Sequence, residues 1–185
     1  MAVVISLLRG VNLAAHNRVK MDELRALYES LGLEDPRTYV QSGNVIFRTK
    51  ERDLVRLARR IEKAIEQRFG FRTEVILRTT AELRDAVARN PFAGRAGIDP
   101  AKLLVTFLDG VPSPEARETA MKIKADPEEL RIDGRELYIY FSNGLARPKV
   151  PWMAVVKTLK TRGTGRNWNS VTKILEMAEG LEASG

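Results

Sequence analysis

Hydrophobic residues in the first half of the chain alternate between strand-like and helix-like spacing. A nearly continuous apolar run, Val3 to Leu8, is typical of a strand that is covered on both faces. Apolar positions then recur every three or four residues from Met21 to Leu31, and again from Leu54 to Ile65. This spacing predicts two amphipathic helices, which we expect to end at Gly32 and near Gly70.

Three further strands complete the predicted first half. Thr38–Gln41 and Val45–Thr49 flank Ser42-Gly43-Asn44, a sequence that predicts a tight hairpin, and Glu74–Arg78 alternates as a closing strand. The resulting order is strand, helix, strand, strand, helix, strand. This is the split βαβ, or ferredoxin-like, pattern.

The second half begins with the same order of elements. A capping-box signature at Thr79 and Glu82 predicts a helix that ends before Pro91, and a linker extends from there to Pro100. The elements predicted after it are a strand at Lys102–Leu108, a helix at Glu115–Lys124, a hairpin of Leu130–Ile132 and Glu136–Phe141 around Asp133-Gly134, and helices at Pro151–Lys160 and Asn169–Glu179. At an offset of 100 residues, Ile5–Val11 aligns with Val105–Val111, which indicates an internal repeat.

We therefore predict an α+β fold with two tandem ferredoxin-like (split βαβ) halves, the second ending in two C-terminal helices. The predicted divisions are 1–79 for the first half, 80–101 for a helix and linker, 102–180 for a second βαββα half with an extra C-terminal helix, and 181–185 for a frayed tail.

Composition excludes several kinds of chemistry. The chain is 44% hydrophobic and 30% charged, which is ordinary for a packed globular protein. The absence of cysteine excludes disulfides, thiolate catalysis and cysteine-ligated zinc, and the single histidine, His16, has no neighbouring metal ligand. No apolar stretch is long enough for a signal peptide or a membrane helix. We expect a cytoplasmic protein with no membrane partner, metal or cofactor, and the sequence leaves its oligomeric state open.

The net charge of +7 is concentrated in three stretches that contain no acid: Met1–Met21, Pro36–Lys50 and Leu137–Leu175. Together they hold 13 of the 31 Lys and Arg and none of the 24 Asp and Glu, so the rest of the chain is net acidic. If the fold brings them together, they form a cationic face suited to an anionic partner such as phosphate or nucleic acid.

A polar, cationic loop connects the first predicted strand to the first helix. Its candidate anion ligands are Arg9, Asn12, Asn17 and Lys20. Strand alternation places Arg9 at the carboxyl end of the strand, where open sheets often bind ligands, and the helix start attracts anions. The loop has one glycine and no Gly-Lys-Ser/Thr, so it is neither a P-loop nor a dinucleotide fingerprint. The alternative interpretation of the two asparagines is that they close turns through local side-chain bonds.

The predicted hairpin adds three further candidates, Gln41, Ser42 and Asn44. Such residues are also ordinary turn formers, except for Gln41, which turns do not favour. The opening of the final helix supplies Arg166, Asn167, Asn169 and Lys173, where charge, amide donors and the helix dipole would act together on an anion. Either asparagine could instead be a plain N-cap.

Five strings occur in an order and spacing that resembles the family catalogued as domain of unknown function 1697: LLRGVN, NRVKMDELR, TYVQSGNVIF, NPF and RNWNSVTKILE. The resemblance extends from Val4 to about Ala178 and implies an α+β architecture with ferredoxin-like halves. Family members often carry glycines where this chain has Leu13-Ala14-Ala15. The resemblance brings no catalytic role to the motif residues, which are Arg9, Asn12, Asn17, Lys20, Gln41, Ser42, Gly43, Asn44, Arg166, Asn167, Trp168, Asn169 and Lys173.

Three functions follow as hypotheses. The leading one is a binding module for a phosphate-bearing partner, with RNA or DNA favoured over a free nucleotide. The second is an enzyme that acts on a small phosphorylated or carboxylated metabolite, in which Arg9 and Arg166 clamp the anion; no catalytic residue is identified for it. The third is a structural protein in which the motif residues join the two halves.

Overall fold

The computed structural model of the chain describes residues 1–185, which form two compact units. The first unit consists of Met1–Arg84 and Lys173–Gly185, and the second of Asp85–Thr172. The divisions between the units fall inside two helices, Thr80–Ala88 and Trp168–Ala183. The boundaries given in the sequence analysis stay predictions.

A four-stranded antiparallel sheet forms the first unit, with strand order β2-β3-β1-β4. Its elements are β1 (Ala2–Leu8), α1 (Met21–Ser30), β2 (Glu34–Tyr39), β3 (Asn44–Thr49), α2 (Leu54–Phe69) and β4 (Val75–Thr79), followed by the start of α3 (Thr80–Ala88). The order β-α-β-β-α-β is the one that the hydrophobic spacing predicts.

Alternation along the strands places one set of side chains against α1 and α2. Val4 and Leu8 of β1 pack in one cluster with Leu24 of α1 and with Leu57 and Ile61 of α2. Burial of each such aliphatic side chain contributes about 1.5–3 kcal/mol. All of Val3–Leu8 is buried, as expected of a strand that is covered on both faces.

Helix boundaries in the first unit follow from local chemistry. Asp53 caps α2 by accepting a bond from the backbone N of Arg56 (3.0 Å), and the helix ends at Gly70 in the left-handed conformation. The predicted capping box before α3 is present, because the Glu82 carboxylate accepts from the Thr79 backbone N (2.8 Å) and the Thr79 hydroxyl accepts from the Glu82 backbone N (3.1 Å).

The second unit has a second four-stranded antiparallel sheet, with strand order β6-β7-β5-β8. Its elements are the end of α3, a short 3₁₀ turn at Pro100–Lys102, β5 (Leu103–Leu108), α4 (Pro114–Met121), β6 (Glu129–Asp133), β7 (Glu136–Tyr140), α5 (Trp152–Thr158), β8 (Gly163–Asn167) and the start of α6 (Trp168–Ala183). Leu108, Leu137, Ile139 and Val155 belong to its core.

The predicted fold class is confirmed, since each unit carries the ferredoxin-like order of elements. The structure adds the strand β8 between the two C-terminal helices, where the sequence analysis expects no strand. It also continues α6 to Ala183, and Leu181 in this helix is fully buried.

Candidate anion-binding site

The sequence-predicted residues of the first two acid-free stretches meet at one end of the first sheet. There β1 ends, β2 turns into β3, and β4 begins, because Leu7 pairs with Asn44 and Leu8 with Val75. We name this region the β1 loop end and define it as Arg9–Lys20, Val40–Gly43 and Thr73–Glu74. It contains Arg9, Asn12, Asn17, Lys20, Gln41 and Ser42, with Asn44 directly beside it.

Asn12 connects the two loops of this region. Its Nδ2 donates to the carbonyl oxygens of Val19 (2.9 Å) and Gln41 (2.7 Å), and its Oδ1 accepts from the backbone N of Val19 (2.8 Å). The backbone N of Asn12 also donates to the Asn17 carbonyl (3.0 Å). With its donors and acceptor occupied by backbone groups, the Asn12 side chain holds the loop in shape.

Left-handed backbone conformations are concentrated in the β1 loop end. Gly10, Asn12, Ala14 and Asn17 all have φ between +51° and +69°. Asparagine tolerates this region better than other non-glycine residues, and Asn17 also donates from Nδ2 to the Gly10 carbonyl (3.1 Å). The interpretation of both asparagines as turn-closing residues therefore has direct support in these bonds.

The β2–β3 turn requires a glycine at Gly43. A Cβ added there would lie 2.8 Å from Leu8 Cβ, and the residue has φ of +77°. The neighbouring Asn44 is fully buried, and its Nδ2 donates to the Tyr39 carbonyl and the Ser42 hydroxyl (both 3.0 Å). These interactions fix the turn against β1.

Arg9 forms an ion pair with an acid from outside the acid-free stretches. Its Nη1 lies 2.7 Å from Oε2 of Glu74, and the two side chains are 36% and 34% exposed. The Arg9 carbonyl also accepts a bond from the Thr73 hydroxyl (2.7 Å). A stretch without acids in the sequence is therefore not free of acids in space.

Three Arg, Lys or amide side chains of the β1 loop end are exposed and make no hydrogen bond or ion pair within the protein: Arg18, Lys20 and Gln41. Arg18 was missed by the sequence analysis, although it lies in an acid-free stretch between two predicted ligands. Lys20 is the N-cap residue of α1, and its side chain makes no capping bond. Asp22 and Glu23 in the first turn already complement the dipole of that helix, so the exposed cations precede an N-terminus with its own negative charge.

Lys173 of the first unit is paired with an acid in its own helix. Its Nζ lies 2.9 Å from Oε1 of Glu176, and this interaction raises the pKa of Lys173, with a smaller contribution in the same direction from Tyr39. Lys173 is exposed, as predicted for the polar side of α6.

Arg166 lies in the second unit on β8, where it pairs with Val105 of β5. Its side chain is buried, with 7% of the residue exposed, and burial lowers its pKa to about 10. Nη1 donates to the Thr164 hydroxyl (2.8 Å) and to the Gly165 carbonyl (2.9 Å). Arg166 thus lies directly before the final helix, on a strand that the sequence does not predict.

Asn167 is the N-cap of α6. Its Oδ1 accepts from the backbone N of Asn169 (3.0 Å), and its Nδ2 donates to the Ala101 carbonyl (2.9 Å). Asn169 is exposed, and Trp168 is half-buried. Of the four predicted ligands at this helix start, Asn169 and Lys173 are the exposed ones.

Metal ligands do not gather anywhere in residues 1–185, since no group of three or more His, Cys, Asp or Glu side chains is arranged to hold an ion. None of the helices has the length and apolar character needed to cross a membrane.

Fold and site together define an α+β protein of two ferredoxin-like units, with a polar and cationic loop surface in the first. The chain belongs to the family described as Protein of unknown function (DUF1697), whose profile matches residues 1–138. Among solved structures it resembles the conserved bacterial protein SP0830 from Streptococcus pneumoniae. The two are 22% identical with a TM-score of 0.75, and the match covers 96% of this chain and 98% of the other. This likeness shows the fold alone. No curated protein matches the chain.

Proposed function

We propose that the protein binds a phosphate-bearing partner, RNA or DNA in preference to a free nucleotide, and that the β1 loop end is a contact surface for it. The observation that carries the proposal is the contrast between Asn12, whose side chain is fully used in fixing the loop, and Arg18, Lys20 and Gln41, whose side chains are exposed and unbonded.

A phosphate group suits these three side chains chemically. Arg18 and Lys20 supply positive charge without a partner acid, and Gln41 supplies amide donors from the facing turn. Arg, Lys and Gln are among the side chains that commonly contact phosphate oxygens. Because Asn12 bonds the Gln41 carbonyl, the two loops are held together before any ligand arrives.

A polymer is favoured over a free nucleotide because Arg18, Lys20 and Gln41 are all exposed. An exposed set of donors suits a chain that lies across the surface, whereas small ligands are usually held in concave pockets that cover most of their area. The formal charge of +7 and the pI near 9.9 support an anionic partner in the same direction.

Fluorescence anisotropy with labelled single-stranded RNA and single-stranded DNA tests the proposal, with ATP as the competing free nucleotide. The double variant Arg18→Gln/Lys20→Gln should bind about tenfold more weakly at low salt, and the slope of log affinity against log salt should become shallower by about 1.4, since each lost phosphate contact removes about 0.7 for a single strand.

The matched control is Lys122→Gln/Lys124→Gln, which removes the same charge from exposed positions in the second unit. Equal binding by the two double variants, or displacement of the polymer by ATP at comparable concentration, would refute the proposal.

A further inference from the structure

The exposed face of α2 carries a row of cations that the acid-free stretches do not include. Arg56, Arg59, Arg60 and Lys63 are all exposed, and Arg52 precedes the helix. The opposite face of α2 is anchored in the core, where Leu57, Ala58, Ile61 and Ile65 are buried. Helical geometry therefore fixes the direction in which the row points.

No acid neutralises this row. The side chains of Arg56, Arg59 and Lys63 make no ion pair or hydrogen bond, and Arg60 donates from Nη2 to the Leu31 carbonyl (2.8 Å). The three acids of α2 and its N-cap have other partners: Asp53 caps the helix, Glu62 accepts from the Val75 backbone N (2.9 Å), and Glu66 pairs with Arg72. By contrast, Arg68 and Arg72 after the row are each paired with a glutamate.

This arrangement is unfavourable for the isolated helix. Like charges at i,i+3 and i,i+4 destabilise a helix by about 0.2–0.5 kcal/mol per pair, and the row contains four such pairs among Arg56, Arg59, Arg60 and Lys63. Arg56 also lies in the first turn, where the helix dipole disfavours a cation, and the N-cap Asp53 offsets only part of that effect. A bound anionic partner would offset both the repulsion among the cations and the unfavourable interaction of Arg56 with the helix dipole.

We propose that the exposed face of α2 binds the phosphate backbone of a double-helical nucleic acid. Arg56 and Lys63 are separated by about 10.5 Å along the axis at 1.5 Å per residue, so the row places four cations over that length. The mean axial spacing of these cations, about 3.5 Å, is close to the axial spacing of phosphates along one strand of a duplex, about 3.4 Å. This surface is distinct from the β1 loop end and does not depend on the function proposed for it.

A duplex fits this face better than a single strand or a membrane does. Single strands are held by aromatic side chains on which bases stack, and the row itself contains no aromatic residue. Membrane-surface helices insert an apolar face, whereas the apolar face of α2 is occupied by the core, and Val55 is its one exposed large hydrophobic residue. Contacts limited to phosphates predict binding without sequence preference.

Anisotropy with a labelled 20-base-pair duplex, in DNA and RNA forms and at several salt concentrations, tests the inference. Arg56→Gln/Arg59→Gln should weaken duplex binding about tenfold and reduce the salt slope by about 2, as expected for two lost phosphate contacts. Its melting temperature should stay equal to or rise above that of the parent, because the substitutions remove like-charge repulsion. A second pair, Arg59→Gln/Lys63→Gln, should behave the same way.

Lys122→Gln/Lys124→Gln serves again as the control for lost charge, and vesicles containing phosphatidylserine serve as the alternative anionic surface. Weakened binding to either duplex in both α2 variants, with the control unchanged, supports the inference. Parent-like duplex binding by the α2 variants overturns it, as does vesicle binding that exceeds duplex binding and is lost in those variants. Because Arg18→Gln/Lys20→Gln is measured in parallel, failure at α2 and failure at the β1 loop end are separate results.

Discussion

The two units build the same cross-link at the end of their first strand, but with the charges exchanged. In the first unit, the Arg9 backbone N donates to the Glu74 carbonyl (2.9 Å), and the two side chains form an ion pair at 2.7 Å. In the second, Asp109 donates in the same way to Arg162 (2.9 Å), and their side chains pair at 2.9 Å. Because the same contact forms with either sign of charge, we expect the pair at this position to have a structural role in both units.

A buried arginine is a second feature that both units share. Arg78 pairs with Ile5 across the strands, and Arg166 pairs with Val105. Ile5 and Val105 are the positions that the sequence repeat aligns at an offset of 100 residues. Each donates from Nη1 to the carbonyl of the preceding residue, at 3.1 Å and 2.9 Å. Arg166 is thus part of the repeated framework.

One difference between the units is the loop after the first strand. Twelve residues separate β1 from α1, whereas five separate β5 from α4. The longer loop contains three non-glycine residues with positive φ, Asn12, Ala14 and Asn17, and the shorter one contains none. The strands and helices occur in the same order in both units, whereas this loop and the turn that faces it are longer in the first unit than in the second. We therefore expect a function specific to the first unit at this loop and turn.

The hairpin turns provide the strongest test of this difference. Gly43→Ala should destabilise the protein by about 2–5 kcal/mol, because it combines a left-handed φ with a Cβ only 2.8 Å from Leu8 Cβ. Gly134→Ala in the equivalent turn of the second unit should cost about 1–2 kcal/mol, since its φ is +56° and the nearest atom is the flexible Arg89 side chain at 3.7 Å.

Chemical denaturation of the two variants measures both values under one set of conditions. Equal losses of stability in Gly43→Ala and Gly134→Ala would mean that the β2–β3 turn is no more tightly packed against its neighbouring strand than the β6–β7 turn. That result would remove the structural distinction between the β1 loop end and its counterpart.

Hydrophobic spacing predicted most of this fold because each strand and helix must turn its apolar side chains towards the core between sheet and helices. The run at Val3–Leu8 and the helical periods that follow appear in the structure as β1, α1 and α2. Strand β8, Gly163–Asn167, was missed because its sequence, GTGRN, has neither alternation nor β-branched residues apart from one threonine. It is held by pairing with β5, and a Cβ at Gly163 would lie 3.1 Å from Leu108 Cδ2, a constraint that no local pattern reveals.

The site was less predictable, for two physical reasons. Whether Asn12 binds a ligand or closes a loop depends on partners at Val19 and Gln41, and only the folded chain brings Gln41 near. Counting charge by acid-free stretch also hid the α2 row, because Asp53 and Glu62 interrupt it along the sequence, although Asp53 caps the helix and Glu62 accepts from the Val75 backbone N. A count by helix face would have found it from the sequence.

A buried hydroxyl on the first strand of each unit provides a second test. Ser6 Oγ lies 2.7 Å from Tyr28 Oη, and Thr106 Oγ1 accepts from Trp152 Nε1 (2.8 Å). Tyr28→Phe should destabilise the protein by about 1–3 kcal/mol at neutral pH, because the buried Ser6 hydroxyl loses its partner. Trp152→Phe removes the equivalent bond in the second unit.

The losses of stability caused by Tyr28→Phe and by Trp152→Phe should differ in their pH dependence. Burial raises the pKa of Tyr28 above its ordinary value near 10, so the folded state favours the neutral phenol. The contribution of Tyr28 is therefore complete below pH 10 and declines as the pH rises above it. The difference in the free energy of unfolding between Tyr28→Phe and the parent should become smaller between pH 10 and 11, as measured by chemical denaturation. The corresponding difference for Trp152→Phe should stay constant, because the indole of Trp152 does not titrate in this range. A constant difference for both would contradict the role assigned to burial at Tyr28.

The smallest expected effect comes from exchanging the charges of the first unit to match the second. Arg9→Glu alone should lower stability by about 0.5–1 kcal/mol, because it places two partly exposed acids together. Combining it with Glu74→Arg should restore the parent stability within about 0.5 kcal/mol, and this pair leaves the net charge unchanged.

Anisotropy with labelled RNA and DNA then tests whether Arg9 contacts the ligand. We expect the protein with exchanged charges to retain its affinity, since the ion pair of Asp109 and Arg162 forms with the opposite signs at the equivalent position. A loss of affinity at parent stability would instead assign Arg9 to the ligand, as the sequence alone predicts.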